Sequence, residues 1–192
     1  MSIEKLHEDL SIRAKKGVPM FYAGIFFWLA AGISGFLFPQ NILIWIYVYG
    51  IGLILPLGFA IAKLLKIDFL AKDNPLSTVG GLVGGVQIFF IPVVILVMMN
   101  EPQWIPFIIG ILAGAHFFPY VWIYKSNAYL FQTVAQVAAS TVIGYIYMAE
   151  AYKILPFVLI VVYSITAFRL NKEVENLSRT GMQNRSGVST NQ

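Results

Sequence analysis

The feature that most constrains this chain is a series of six apolar stretches, each about long enough to cross a lipid bilayer as a helix. An α-helix needs about 20 apolar residues for this, because it rises about 1.5 Å per residue through about 30 Å of hydrocarbon. In lipid the backbone must satisfy its own hydrogen bonds, which favours helices. The sequence therefore predicts an all-α polytopic membrane protein with six transmembrane helices. They lie at roughly 18–38, 42–62, 77–99, 104–124, 128–148 and 152–170.

The composition argues against a soluble domain. Of 192 residues, 58% are hydrophobic and 11% are charged. Soluble domains are about 45–50% apolar and about 25% charged. A soluble domain of this size could not bury so many apolar side chains, so the bilayer is the expected solvent.

Lysine and arginine are distributed unequally between the two ends of the predicted helices. If the N-terminus is cytoplasmic, twelve of the thirteen basic residues lie on the cytoplasmic side, and Lys153 alone lies on the other. Basic residues concentrate in cytoplasmic loops. The distribution therefore predicts that both termini are cytoplasmic. The net charge of +4 is assigned to anionic membrane lipids rather than to nucleic acid.

Polarity divides the chain into three segments. Residues 1–16 place apolar side chains at helical spacing and Asp9 one turn before Arg13, which predicts an amphipathic cytoplasmic segment. A frayed polar tail is the alternative for this segment. Residues 17–171 are predicted to form the transmembrane domain. Residues 172–192 are polar and rich in Gly and Ser, which predicts a disordered cytoplasmic tail.

Uncharged polar side chains recur every four residues in the fourth and fifth predicted helices, and one more lies at similar depth in the third. Unpaired polar groups are costly in lipid, so these side chains should face the interior of the bundle. The sequence therefore predicts a polar ligand-binding cavity. The alternative is a set of hydrogen bonds that only hold helices together. The candidate residues are His116, Gln132, Gln136, Gln87, Tyr120 and Ser140.

Lysine and asparagine side chains lie where the first, third and fifth predicted helices begin on the cytoplasmic side. Lysine combined with the positive end of a helix dipole favours anions, which predicts binding of anionic lipid headgroups. The alternative is ordinary helix capping and charge that sets the topology. The candidate residues are Lys15, Lys16, Lys72, Asn74, Lys125 and Asn127.

Four glycines in the third predicted helix form two overlapping GxxxG patterns, namely Gly80, Gly81, Gly84 and Gly85. Such rows allow close approach of another helix. Packing within the chain is the first interpretation, and a homodimer seam is the alternative.

Several chemistries are disfavoured by composition. There is no cysteine, and the two histidines, His7 and His116, are far apart in the chain, so no metal or cofactor is expected. The predicted helices carry no charged residue near their centres, which argues against an ion-coupled transporter. An enzyme is not expected.

Three motifs carry a family resemblance: DLSIRAKKG at 9–17, LLKIDFLAKDNPL at 64–76 and GAHFFPYVWIYKSNAY at 114–129. Together they resemble an uncharacterised family, a domain of unknown function, of small multi-pass membrane proteins from Gram-positive bacteria. The resemblance implies a multi-pass protein of the bacterial plasma membrane and implies no activity.

The expected function is to bind or move a small neutral or lipid-like solute through the polar cavity, as a transporter or carrier would. The alternative is a non-catalytic membrane component, such as a partner subunit, a sensor or a stress-linked factor.

Overall fold

The structure, a computed structural model, describes residues 2–189, with side chains described for 2–179. Helices make up almost all of this range, and it contains no strand. The α-helices are α1 (Ile3–Arg13), α2 (Val18–Leu37), α3 (Gln40–Leu64), α4 (Pro75–Gly85), α5 (Ile91–Asn100), α6 (Ile105–Ala115), α7 (Tyr120–Ile123), α8 (Asn127–Thr141) and α9 (Ala151–Ser189). Short 3₁₀ segments at Val86–Phe90 and Pro102–Trp104 join α4 to α5 and precede α6.

Five helical stretches within the described residues are long and apolar enough to cross a membrane. They are Lys15–Leu37, Gln40–Leu64, Pro75–Asn100, Pro102–Ile123 and Met148–Arg179. The predicted all-α fold is confirmed, and several helices are compatible with a multi-pass membrane protein. The predicted number of six is wrong by this measure, because the stretch expected at 128–148 is not among the five.

The missing stretch is α8 and its continuation. α8 has only 15 residues and carries three buried polar side chains, and a π-helix at Val142–Ile146 then interrupts its hydrogen-bond pattern. The polar side chains lower the mean hydropathy of this stretch. α8 nevertheless packs against α6 and α9. It runs antiparallel to α6, since Gly110 lies against Ser140 and Gly114 lies against Gln136.

The centre of the bundle is formed by α2, which packs against both α3 and α9. Trp28 and Phe21 of α2 are buried completely or almost so. A Cβ atom added to Gly24 would lie 2.2 Å from the ring of Tyr163, and one added to Gly35 would lie 2.6 Å from the Tyr152 carbonyl oxygen. The row of glycines that lets two helices approach closely is therefore in α2, where sequence analysis had not placed it.

One end of the molecule gathers segments that are distant in the chain. We call it the charged end: α1, the loop 65–74, the turn 124–126 and residues 171–173. His7 of α1 is buried there, with Nδ1 2.8 Å from the Ile123 carbonyl oxygen. Polar contacts thus join α1 to the far end of α7.

The C-terminal segment continues α9 as far as Ser189. Residues 172–192 were predicted to be disordered, and the described part of this segment is helical instead. Glu173 pairs with Lys16 at 2.8 Å, and Arg179 pairs with Glu175 at 2.5 Å, one turn away. These contacts and the burial of Val174 stabilise α9 beyond residue 170, where the sixth predicted transmembrane helix was expected to end. Residues 190–192 lie outside the described range.

Candidate functional site

A cavity of about 310 Å³ lies between α3, α4, α6 and α7. This volume is at the lower end of the range of about 300–1,000 Å³ that is usual for small-molecule sites. Its walls are mostly apolar, with Ile51 and Ile54 from α3 as examples. Three of the predicted site residues, Gln87, His116 and Tyr120, also line it.

The glycines of α4 form one wall of this cavity. A Cβ atom added to Gly81 or Gly85 would meet nothing within 4 Å, and one added to Gly80 or Gly84 would approach only Tyr120, at 3.7 and 3.2 Å. Gly80 and Gly84 therefore approach Tyr120 of α7, whereas Gly81 and Gly85 face no other helix within 4 Å. Because glycine has no side chain, the space beside these four residues is part of the cavity. The homodimer seam stays a prediction.

The cavity opens sideways between α3 and α4. These two helices scarcely contact one another within the described residues. Leu55 of α3 and Ile88, which follows α4, both line the cavity and are 57% and 66% exposed. In a bilayer such a gap between two apolar rims faces lipid chains.

A second cavity of about 110 Å³ lies further along the same helices, lined by α3, α5 and α6. Gln87, Ile51 and Ala113 line both cavities. Gln87 belongs to the 3₁₀ segment Val86–Phe90, which interrupts an otherwise α-helical stretch. Such interruptions often mark functional positions. The Gln87 amide forms no hydrogen bond with the residues that the structure describes.

His116 lies directly after α6, and its ring contacts two aromatic side chains. The ring centroid is 4.1 Å from that of Phe117 and 6.1 Å from that of Tyr120. His116 Nδ1 is 2.6 Å from the Ala113 carbonyl oxygen. The Tyr120 hydroxyl donates to the Gly80 carbonyl oxygen at 2.7 Å, which ties α7 to α4 at the edge of the cavity.

The three predicted site residues that belong to α8 lie outside this cavity. Gln132 donates to Gln136 at 2.7 Å, and Gln136 donates to the Gly110 carbonyl oxygen at 3.0 Å. The Thr166 hydroxyl lies 2.7 Å from Gln132 Oε1. Gln132, Gln136 and Ser140 are all fully buried, and none of them lines the 310 Å³ cavity. For Gln132 and Gln136 these contacts fit the alternative, in which hydrogen bonds hold helices together, whereas the Ser140 hydroxyl has no hydrogen-bond partner among the described residues.

Sequence reasoning missed Thr166, the partner that links α8 to α9. It is 34 residues from Gln132 and is a single hydroxyl in a strongly apolar helix. No periodic signal marked it.

Residues 3–173 match a protein family throughout, a span that includes the cavity and the charged end. The chain belongs to DUF7010, a family of unknown function. No curated protein and no solved structure matches it. The predicted membership of a family of unknown function is confirmed.

Two of the lysines predicted to bind anions are already paired in this DUF7010 protein. Lys16 is buried and its Nζ is 2.8 Å from Glu173 Oε2. Lys125 forms an ion pair with the exposed Glu4, and Lys125 lowers the pKa of that carboxyl through a hydrogen bond. These contacts hold the charged end together, so neither ammonium is free for a ligand.

The other predicted anion-site residues have separate surroundings. Asn74 is buried, caps α4 by accepting from the Leu76 amide at 3.0 Å, and donates to Asp9 at 2.9 Å. Asn127 is the exposed first residue of α8, whose N-cap is Ser126. Lys15 adopts a left-handed backbone conformation at the kink between α1 and α2. The six residues therefore share one end of the molecule and do not form one site.

Lys72 lines a charged groove of about 430 Å³ at the same end. In it, Arg13 Nη2 lies 2.6 Å from a carboxylate oxygen of Asp68 and 2.6 Å from one of Asp73, and Arg13 Nη1 lies 3.2 Å from Asp9. Arg13 lowers the pKa of both Asp68 and Asp73 through these hydrogen bonds. The predicted pairing of Asp9 with Arg13 is present. The two longer-range partners were missed, because 55 and 60 residues separate them from Arg13.

The charged groove and the cavity share a wall formed by Phe59, Phe69 and Leu70. The loop 65–74 therefore lies between an apolar space and a charged surface. Among the described residues there is no group of three His, Cys, Asp or Glu side chains that could hold a metal ion.

Proposed function

We propose that this DUF7010 protein binds a small neutral or lipid-like solute inside the membrane and moves it along the α3–α4 gap. The observation that carries the proposal is the 310 Å³ cavity, which combines apolar walls, a glycine face and a sideways opening. A packed bundle without a ligand would not be expected to leave such a space between helices.

The lining of the cavity supports a neutral solute. No Asp, Glu, Lys or Arg side chain contributes to its wall. A charge transferred from water into such surroundings is costly unless an opposite charge meets it. An apolar or weakly polar molecule meets no such penalty, and it can enter from the lipid between Leu55 and Ile88.

The second cavity supports movement as well as binding. It continues from the first past Gln87, so a solute has a further apolar space to enter. The 3₁₀ segment at this point has weaker backbone hydrogen bonds than an α-helix, so it is a natural place for the helix to bend.

We further propose that the protein resides in a bacterial plasma membrane with the charged end in the cytoplasm. Lys63 lies in the last turn of α3, and Lys66 and Lys72 follow α3 at this end. Basic segments beside a membrane attract anionic headgroups by about 1 kcal/mol per residue. Lys63 and Lys72, which line the charged groove, are the candidates for this contact.

Native mass spectrometry in mild detergent tests the proposal with two matched variants. Gly81→Leu adds a side chain to the cavity wall, where there is open space. Gly52→Leu makes the same change on the exposed side of α3, also in open space. We expect a co-purifying small mass in the wild type and in Gly52→Leu, and its loss in Gly81→Leu. Identical spectra from all three proteins would refute the cavity as a binding site.

One observation favours the alternative of a non-catalytic partner subunit. The most apolar part of Pro75–Asn100 has no buried residue, so a second protein could pack against this stretch in place of lipid. The same spectra test this function. A mass equal to two chains, reduced to one by Gly81→Leu, would support the homodimer seam through Gly80, Gly81, Gly84 and Gly85.

A further inference from the structure

One nitrogen of His116 is committed to the protein backbone. Nδ1 lies 2.6 Å from the Ala113 carbonyl oxygen, which can only accept a hydrogen bond. Nδ1 must therefore carry the hydrogen. This contact is local, three residues back along the chain.

The other nitrogen of His116 is then an acceptor. A protonated imidazole would carry a charge beside an apolar cavity that holds no carboxylate, so the neutral form is favoured. A neutral imidazole with hydrogen on Nδ1 presents a lone pair at Nε2. Within the described part of the chain, Nε2 has no hydrogen-bond partner.

Four hydroxyl groups line the cavity, those of Ser77, Tyr120, Tyr124 and Tyr163. Among the described residues, neither Tyr124 nor Tyr163 donates to His116, and the other two hydroxyls are committed elsewhere. The Tyr120 hydroxyl donates to the Gly80 carbonyl oxygen, and the Ser77 hydroxyl donates to the Leu70 carbonyl oxygen. Each hydroxyl has only one hydrogen to donate. An unsatisfied acceptor in a low-dielectric site favours a ligand that brings a donor.

We infer that the cavity binds a neutral long-chain alcohol, whose hydroxyl donates to His116 Nε2 and whose apolar chain lies against α3 and the glycine face of α4. This inference rests on the proposed function, since it names the class of its solute. A carboxylate or a phosphate dianion brings only acceptors and would oppose the lone pair of Nε2. Gln87, whose amide is free in the described structure, can both donate to and accept from a further oxygen of the same molecule.

The chemistry of the wall selects between related amphiphiles. An alcohol and its methyl ether have nearly the same apolar chain, but only the alcohol has a hydrogen to donate. The apolar contribution to binding is therefore similar for the two, and the difference between them reports the hydrogen bond to His116.

The test compares dodecan-1-ol, its methyl ether and dodecanoate by native mass spectrometry of the full chain in mild detergent. In the wild type, we expect the alcohol to bind about 5- to 10-fold more tightly than the ether, the usual net effect of one hydrogen bond. Dodecanoate should bind more weakly than the alcohol. In His116→Phe, which keeps a ring but has no acceptor, the alcohol and the ether should bind equally.

The outcomes separate this inference from the proposed function. Equal binding of alcohol and ether to the wild type, or tighter binding of dodecanoate, would overturn the assignment of a donor ligand. That result needs no variant, so it holds even if His116→Phe does not fold. Gly81→Leu should weaken all three ligands, and Gly52→Leu should weaken none. If Gly81→Leu changes no affinity, the proposed function itself fails and the inference fails with it.

Discussion

Replacing Gln136 with leucine tests whether the polar side chains of α8 act as one hydrogen-bonded unit. Gln136 accepts from Gln132 and donates to the Gly110 carbonyl oxygen, and both glutamines are fully buried. In Gln136→Leu, the Gln132 amide keeps its contact with Thr166 and loses its own acceptor. A buried donor left without a partner costs about 1–3 kcal/mol. We expect this loss in the free energy of unfolding.

The double variant Gln132→Leu/Gln136→Leu should be more stable than Gln136→Leu. It removes both amides, so neither of them is left as an unpaired buried donor. Thr166 keeps an acceptor, because its hydroxyl is also 2.9 Å from the Val162 carbonyl oxygen. Replacing both partners of a buried hydrogen bond with apolar groups is close to neutral. The two substitutions should therefore be non-additive, as expected for residues in contact.

Unfolding by denaturing detergent, followed through the fluorescence of the four tryptophans, measures these differences. A double variant at least as unstable as the sum of the two single variants would refute the network. Solute binding provides a second readout, because this network does not line the cavity. Gln136→Leu should leave the small co-purifying mass unchanged. Loss of that mass would indicate that Gln136 contributes to the binding site.

Two further predictions concern close packing and pH. Gly24→Val should lower the free energy of unfolding by about 3 kcal/mol, because its Cβ would lie 2.2 Å from the ring of Tyr163. Gly81→Ala should not destabilise the protein, because its Cβ would meet nothing within 4 Å. Thermal unfolding in detergent compares the two variants. Arg13 lowers the folded-state pKa of Asp68 and Asp73, so the stabilisation is complete above their ordinary pKa of about 3.8 and is lost as the pH falls through the lower folded-state values. Unfolding temperatures measured between pH 6 and about pH 2 should therefore fall more for the wild type than for Arg13→Gln, and parallel curves would contradict the assignment.

Part of the candidate site was predictable because helical periodicity places side chains on faces. His116 and Tyr120 are four residues apart and both line the cavity, although the turn between α6 and α7 replaces the continuous helix that the spacing assumed. Gln132, Gln136 and Ser140 share a buried face as expected, but that face meets α6 and α9 rather than the cavity. Periodicity identifies residues that share a face, and it carries no information about which helix that face meets.

The α4 glycines also show that a sequence pattern does not identify the neighbouring helix. A GxxxG pattern allows a helix to approach closely, and whether one does so depends on where the neighbouring helices lie. In this chain α2 has the glycines that receive α9, and the α4 glycines border a space. The pattern in α4 looks stronger in the sequence, because its glycines are closer together.

By itself, the sequence determined that the chain is helical and that several of its helices are compatible with a membrane, because apolar stretches of this length rarely form any other structure. It also determined the local pair of Asp9 and Arg13, whose spacing along a helix is a matter of geometry. Only the tertiary structure decided that Arg13 also meets Asp68 and Asp73, and that a cavity lies beside α4. These depend on contacts between residues far apart in the chain, which arise only when the helices have packed.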